Sequence, residues 1–233
     1  MEKYYAVIVA GGSGQRAGGD LPKQFHLLQG RPMLWWSMKA FADAVPGIEI
    51  IVALHPGFFY DWDLLCEAMP EDERIPHKAV AGGRTRAESV CNALMSVPAG
   101  EDVYVAVHDA ARPLVSREMI LGGFRVAKEK GTGVVPAVAV TDSLRRIEGD
   151  GSVAVDRADF VAVQTPQVFP AKLLHEAFAG ADVLDSRLTD DASVAEAAGR
   201  KVALYPGEAV NMKVTNPQDF AIADLLLARR LTE

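Results

Sequence analysis

A continuous apolar run over residues 4–10 (YYAVIVA) opens into Gly11, Gly12, Ser13 and Gly14, and then into Arg16 and Lys23. An apolar run without alternation reads as a strand buried on both faces, the condition of a parallel sheet covered by helices. The glycines let the chain turn sharply at the strand end and bring bare backbone N–H groups close to a ligand. Gly18, Gly19 and Pro22 keep the next segment from continuing as a helix. A strand end, open N–H groups and two cations make an anion site, and the ligand that suits it is a polyphosphate.

Two familiar phosphate motifs do not account for this loop. Gly12–Ala17 matches G-x-G-x-x-G/A, but that fingerprint needs a helix starting within the glycines and an acid at the end of the second strand. Here the second strand, 48–54, ends Ala53-Leu54-His55. The pattern G-x-x-x-x-G-K-[ST] is absent. A glycine-rich turn that merely joins a strand to a helix is the plain structural alternative.

Strand-like and helix-like segments alternate along the chain, which predicts an α/β fold with a mostly parallel central sheet flanked by helices. Strands are expected at 48–54, to Ala81, 102–108, 133–140, 161–164 and 201–205. Helices are expected at 33–44, 60–69, 85–95, 116–130, 170–179, 191–198 and from Asn216, which caps a helix with Pro217 at its first position. Trp35 and Trp36 read as core rather than as a stacking platform. Residues 143–155 (SLRRIEGDGSVAV) break the alternation with period-two patches around Gly149-Asp150-Gly151, a hairpin signal. A lone hairpin is marginal in water, so this one is expected to rest on another surface. The chain therefore reads as one domain over 1–233 with an arm at about 141–158.

Net charge is −7, which argues against general nucleic-acid binding and confines any anion site to a local cation cluster. Cys66 and Cys91 fit no metal or redox spacing, and the five histidines are scattered. No run approaches membrane-spanning length and the opening Met-Glu-Lys-Tyr-Tyr does not read as a signal peptide, so the expected location is the cytoplasm.

In open α/β sheets, ligands bind beyond the carboxyl ends of the strands. Five polar clusters fall there: the glycine loop; Gly82-Gly83-Arg84-Thr85-Arg86-Ala87-Glu88-Ser89; His108-Asp109-Ala110-Ala111-Arg112-Pro113; Thr165-Pro166-Gln167; and Asn211-Met212-Lys213-Val214-Thr215. Asp109, with Arg112 three residues on, reads either as a capping acid with its Arg or as a hard oxygen ligand for Mg²⁺ beside a phosphate-binding cation. Gly82, Gly83 and Ser89 read otherwise as a turn before a helix with Arg86 and Glu88 on its solvent face, and Lys213 as a solvated lysine.

Ala10-Gly11-Gly12-Ser13-Gly14-Gln15-Arg16 followed by Pro22-Lys23-Gln24 resembles the nucleotidyltransferase signature A-[AG]-G-x-G-x-R…P-K-Q. With the His-Asp-Ala-Ala-Arg-Pro block, the chain from about residue 4 to about 220 resembles the 2-C-methyl-D-erythritol 4-phosphate cytidylyltransferases of non-mevalonate isoprenoid synthesis. The resemblance implies a Rossmann-like nucleotidyltransferase fold with a protruding β-hairpin arm. It implies CTP held at Ala10, Gly11, Gly12, Gly14, Gly83, Ser89, Asp109 and Ala110. The cytosine would lie against the Gly83–Ser89 block, a choice of base the residues alone do not give. The sugar phosphate would be gripped by Arg112, Ser143, Arg157, Thr165 and Thr189, partly from the other chain of a homodimer formed through the arm. Two departures stand out: Ala17 where the family usually has Met, and Ser143 where Thr is frequent.

The expected chemistry follows from charge. A phosphate monoester has a second pKa of about 6, so the acceptor is mostly a dianion at neutral pH and needs no general base. The barrier is repulsion between a dianion and a polyanion, so Arg16, Lys23 and Lys213 are the expected catalytic cations, with Asp109 placing Mg²⁺. A ribitol-5-phosphate cytidylyltransferase shares most of these motifs. An NAD(P)-dependent reductase and a nucleotide-sensing module are the rivals from other classes.

Overall fold

The structure is a computed structural model and describes residues 2–12 and 22–232. The strands are β1 (Lys3–Ala10), β2 (Leu27–Leu28), β3 (Arg31–Pro32), β4 (Glu49–Leu54), β5 (Lys78–Ala81), β6 (Val103–Asp109), β7 (Gly133–Ala139), β8 (Arg145–Glu148), β9 (Gly151–Ala154), β10 (Val161–Val163), β11 (Gln167–Pro170) and β12 (Val202–Pro206). The helices are α1 (Met33–Ala44), α2 (Phe59–Glu67), α3 (Arg86–Leu94), α4 (Arg117–Lys130), α5 (Ala171–Ala179), α6 (Asp191–Ala197) and α7 (Pro217–Arg230).

The central sheet runs β5–β4–β1–β6–β11–β7, with β10 and β12 also pairing with β7. β1 is parallel to both β4 and β6, β4 to β5, and β7 to β12. The unbroken apolar run of β1 has the predicted consequence. Ala6, Ile8 and Ala10 join a core with α1, α2 and α4, while Tyr5 and Val7 join a core with α3, α5 and α6 on the opposite face. Trp35 is buried in the first of these; Trp36 is half-buried, its Nε1 donating to the Leu28 carbonyl at 2.7 Å. A third cluster seats α7, through Ala223 and Leu227, on Leu28, Leu114 and Val214.

The local signals mostly act as read. Ser116 caps α4 by accepting from the Met119 N–H at 3.0 Å, and Asn216 with Asp219 forms a reciprocal cap on α7. β8 and β9 form a two-stranded sheet of their own, with Ile147 and Val153 exposed.

One strand of the central sheet departs from expectation. Residues 165–170 read as a loop entering a helix at Pro170, but Gln167–Pro170 is a strand, β11, running antiparallel between β6 and β7. Val168 and Phe169 are fully buried there. Four residues bounded by Pro166 and Pro170 carry no readable period, and prolines are poor central-strand residues. The sheet accepts them because each proline sits at an end of the strand.

Candidate active site

The loops after β1, β5 and β6 converge because the ladders extend past the strand ends. Val9 lies opposite Asp109, and the Ala110 N–H donates to the Val9 carbonyl at 3.1 Å. The Gly82 N–H donates to the Leu54 carbonyl at 2.7 Å, which brings Gly82 under the glycine loop. A Cβ on Gly82 would lie 3.3 Å from Gly11 Cα, and one on Gly11 would lie 3.0 Å from Ser89 Oγ. These two glycines permit backbone to meet backbone at the floor of the site.

Ser89, almost fully buried, fixes the next turn. Its hydroxyl donates to the Thr85 carbonyl and accepts from the Gly83 N–H, both at 2.9 Å. Thr85 caps α3, accepting from the Glu88 N–H at 3.0 Å and donating to the Val183 carbonyl at 2.5 Å. The Ser89 hydroxyl thus shapes the block.

Pro22-Lys23-Gln24 divides its work between neighbours. Gln24 is buried, and its Nε2 donates to the carbonyls of Ala10 at 2.8 Å and Gly12 at 3.1 Å, tying the start of the glycine loop down. Phe25 stacks on Trp62 with ring centroids 5.7 Å apart. With Gln24 and Phe25 anchored after it, Lys23 lines the cavity and its Nζ donates to the Val214 carbonyl at 3.0 Å.

Gly11, Gly12, Lys23, Gly83, Ser89, Asp109 and Lys213 line one cavity of about 240 Å³, with Arg86 beside them. A second cavity of about 740 Å³ shares Gly11, Gly12 and Gly83 and extends past Pro56 and Asn92. Asp109 is the electrostatic hub. Its Oδ2 lies 2.7 Å from Lys213 Nζ and its Oδ1 lies 3.1 Å from Arg86 Nε. Burial would push this carboxyl up, but Arg86 and then Lys213 outweigh it and hold the group well below the usual carboxylate range. Arg86 also reaches Asp191, fully buried, at 2.7 Å. Burial pushes the Asp191 carboxyl up, against the pull of the Arg86 guanidinium.

Behind Asp109 the chain is pinned by a neutral relay. The Asp109 N–H donates to Thr165 Oγ1 at 3.1 Å, and that hydroxyl lies 3.0 Å from His108 Nδ1. His108 Nε2 faces the Arg112 carbonyl at 3.1 Å, which assigns the proton to Nε2 and makes Nδ1 the acceptor. His108 has no exposure, and burial pushes its pKa down to about 4.

Gly14 and Arg16 lie outside the described residues. Ala10 and Ala110 line neither cavity; the Ala10 carbonyl is held by Gln24 and the Ala110 N–H by the Val9 carbonyl. Thr165 is buried with its hydroxyl engaged by His108 and the Asp109 N–H. Arg112 is half-buried, donating to the Asn211 carbonyl at 2.7 Å, and its Nε is buried without a hydrogen-bond partner among the described residues. Ser143, Arg157 and Thr189 are exposed and line neither cavity. Arg157 donates to the Thr141 carbonyl at the base of the arm, and Thr189 precedes Asp190, the cap of α6.

This arrangement, a glycine floor with two lysines and a hub carboxylate, meets a full-length match. The family profile described as 2-C-methyl-D-erythritol 4-phosphate cytidylyltransferase (IspD) matches residues 4–229. The chain belongs to the 2-C-methyl-D-erythritol 4-phosphate cytidylyltransferase family. The enzyme of that name from Porphyromonas gingivalis is 45% identical over 227 residues, 97% of this chain and 98% of that protein. The one from Phocaeicola vulgatus is 43% identical over 223 residues, 96% and 99% of the two chains. Among solved structures, a 4-diphosphocytidyl-2C-methyl-D-erythritol synthase superposes with a TM-score of 0.80 at 31% identity, covering 97% of this chain and 99% of the other. The Thermus thermophilus 2-C-methyl-D-erythritol 4-phosphate cytidylyltransferase gives 0.74 at 35% identity, covering 95% and 98%.

For this member of the cytidylyltransferase family, the structure adds pairings the sequence did not mark. Arg86, readable as a solvent-facing helical residue, is instead turned inward to two carboxylates. Asp191 was marked only as the start of a helix, and Gln24 as the tail of a motif. Gln164 and Asn211 are buried and join the strand-end loops, Asn211 Nδ2 donating to the Thr165 carbonyl at 2.9 Å and Gln164 Nε2 to the Glu208 carbonyl at 2.9 Å. Each depends on a partner distant in sequence, 105 residues for Arg86 and Asp191, so no local pattern announces it.

Proposed function

We propose that this chain transfers the cytidylyl group of CTP to 2-C-methyl-D-erythritol 4-phosphate, giving 4-diphosphocytidyl-2-C-methyl-D-erythritol and pyrophosphate. The observation that carries the reading is the convergence of Lys23, Lys213 and Asp109 on a cavity floored by Gly11, Gly12 and Gly83. The phosphate dianion of the sugar attacks the α-phosphorus of CTP. The new P–O bond forms as the bond to the β-phosphate oxygen breaks, and pyrophosphate leaves with that electron pair. No proton has to be removed from the nucleophile. Lys23 and Lys213, lining the same cavity, offset the repulsion between the two anions and the charge on the leaving group. Arg16 is placed by the signature at the same loop and completes the cation set in this reading. Sequestering the anions between fixed cations and backbone N–H groups strengthens each contact relative to water.

Base choice falls to the Gly82–Ser89 block, where backbone groups around a buried hydroxyl form a small, rigid edge. Such a site excludes purines by size and distinguishes UTP by donor–acceptor mismatch. The family match weighs against a ribitol phosphate acceptor, and the absence of an acid after β4, which ends in Leu54, weighs against a dinucleotide reductase.

Mg²⁺ belongs to this proposal. Among the described residues, no group of three or more His, Cys, Asp or Glu could hold a metal by itself, and both Asp109 oxygens already face cations. Asp109 would hold the ion only through a carboxylate lone pair that Arg86 and Lys213 leave open, with the triphosphate of the substrate supplying the other oxygens. Bound there, Mg²⁺ would supply neutralisation of the phosphate charges.

We further propose a homodimer. The β8–β9 arm carries Ile147 and Val153 exposed at 75% and 38%, a liability that a second arm about a two-fold axis would cover. Arg157 at the arm's base, with Ser143, would then serve the partner's sugar phosphate. Among the described residues no helix is long and apolar enough to cross a membrane, and we place the reaction in the cytoplasm.

Pyrophosphate release from CTP, measured with methylerythritol phosphate, with ribitol phosphate and with neither, tests the reading. Turnover with the first acceptor alone is expected. Release only with ribitol phosphate, or tight NADH binding without CTP binding, would overturn it.

A further inference from the structure

Lys213 meets the cavity with Asp109 Oδ2 as its partner, and that oxygen is open to it because Arg86 occupies only the other one. Arg86 presents Nε–H and Nη2–H along one edge of its guanidinium, the edge with which arginine grips a single carboxylate in two parallel hydrogen bonds. Here the edge is divided. Nε lies 3.1 Å from Asp109 Oδ1, and Nη2 lies 2.7 Å from Asp191 Oδ2. A chain of alternating charge runs Asp191, Arg86, Asp109, Lys213, from the first turn of α6 to the cavity.

Asp191 is firmly anchored. It has no exposure, and Gln167 of β11 grips both its neighbours. Gln167 Nε2 donates to Asp190 Oδ2 at 2.8 Å, and its Oε1 accepts from the Ala192 N–H at 2.9 Å. The anchor runs through β11, which lies antiparallel between β6 and β7, so this strand has a part in the site although none of its residues lines the cavity.

We propose that Asp191 is a positioning residue for the transfer reaction. By taking half of the Arg86 fork it keeps Arg86 single-pronged on Asp109, and so reserves Asp109 Oδ2 to hold Lys213 at the phosphates. This inference rests on the reaction proposed above. Without the Asp191 charge, Arg86 is left beside one carboxylate and turns both N–H groups onto it. Lys213 is then displaced from Oδ2 and loses its fixed place.

Two measurements test this. The first is a kinetic cycle on Asp191→Asn, which keeps the side-chain shape, with and without Lys213→Ala. In the otherwise intact chain, kcat is expected to fall at least tenfold with the KM for CTP changed less than twofold. In the Lys213→Ala background, the same substitution should change kcat less than twofold, because the residue it positions is gone. A residue that only braces α6 would cost the same factor in both backgrounds, and that result overturns the proposal. The second is a crystal structure of Asp191→Asn, or of Asp191→Ala if the amide retains the wild-type hydrogen bond. Both Arg86 N–H groups on Asp109 and Lys213 withdrawn from Oδ2 are expected. Lys213 unmoved would overturn the proposal whatever the kinetics. The crystallographic result stands even if the chain transfers no cytidylyl group, so the failure of the reaction and the failure of the positioning role are separable.

Discussion

Lys23 and Gln24 are adjacent and do different things, which is why the site is precise at the residue scale. Gln24 holds the carbonyls of the glycine loop, and Lys23 faces the cavity. If Lys23 stabilises charge that grows in the transition state, Lys23→Ala should lower kcat far more than CTP affinity. The expected cost is about 2.7–4 kcal/mol, the scale of one preorganised donor. Steady-state kinetics with calorimetric CTP titration checks this, and normal turnover would make the loop structural. His108 gives a pH prediction. Its folded pKa, about 4, lies below the ordinary 6.5, so between those values the unfolded chain binds more protons. Its contribution is full above pH 6.5 and is lost as pH falls towards 4, about 3 kcal/mol in all. Urea unfolding from pH 7 to 4 should show wild type losing that much more than His108→Asn; parallel pH profiles would contradict it. Lys23 was legible from the glycine loop and Asp109 from the strand it ends, whereas Lys213 was marked by the family resemblance. Arg86 and Asp191 were not legible, because their meaning lies in one another.

At the scale of elements, a strand or helix was legible wherever the signal was an unbroken apolar run or a cap. β1, β4, β6, α4 and α7 follow directly from such signals. β11 did not, because a four-residue strand between prolines shows its burial only when β6 and β7 are in place. The arm was legible from its alternation and its Gly149-Asp150-Gly151 turn, and it makes a prediction of its own. Replacing residues 144–155 by a short glycine bridge removes the self-contained β8–β9 pair and touches neither core face. The product should be a monomer by sedimentation that binds CTP within about threefold of wild type and does not turn over methylerythritol phosphate. A dimer, or a fully active monomer, would show that the arm is not where the chains meet.

For the whole molecule, the described site is one-sided. Loops of this chain gather Lys23, Asp109 and Lys213 at one cavity, whereas Ser143 and Arg157 sit away from both cavities. A shared site predicts complementation. Mixing Lys23→Ala chains with Arg157→Ala chains should restore about a quarter of wild-type activity, since half of the dimers are mixed and each mixed dimer holds one intact site. Activity no higher than in the parents, with subunit exchange proven by mass-tagged chains, would place Arg157 at its own chain's site. The account stands most directly on the product itself. Phosphorus NMR of wild type with CTP, Mg²⁺ and 2-C-methyl-D-erythritol 4-phosphate should show the two coupled signals of a diphosphate diester growing in step with pyrophosphate, and Lys213→Ala should slow both together. Pyrophosphate without the diester, or an unchanged rate in Lys213→Ala, would contradict the transfer as described.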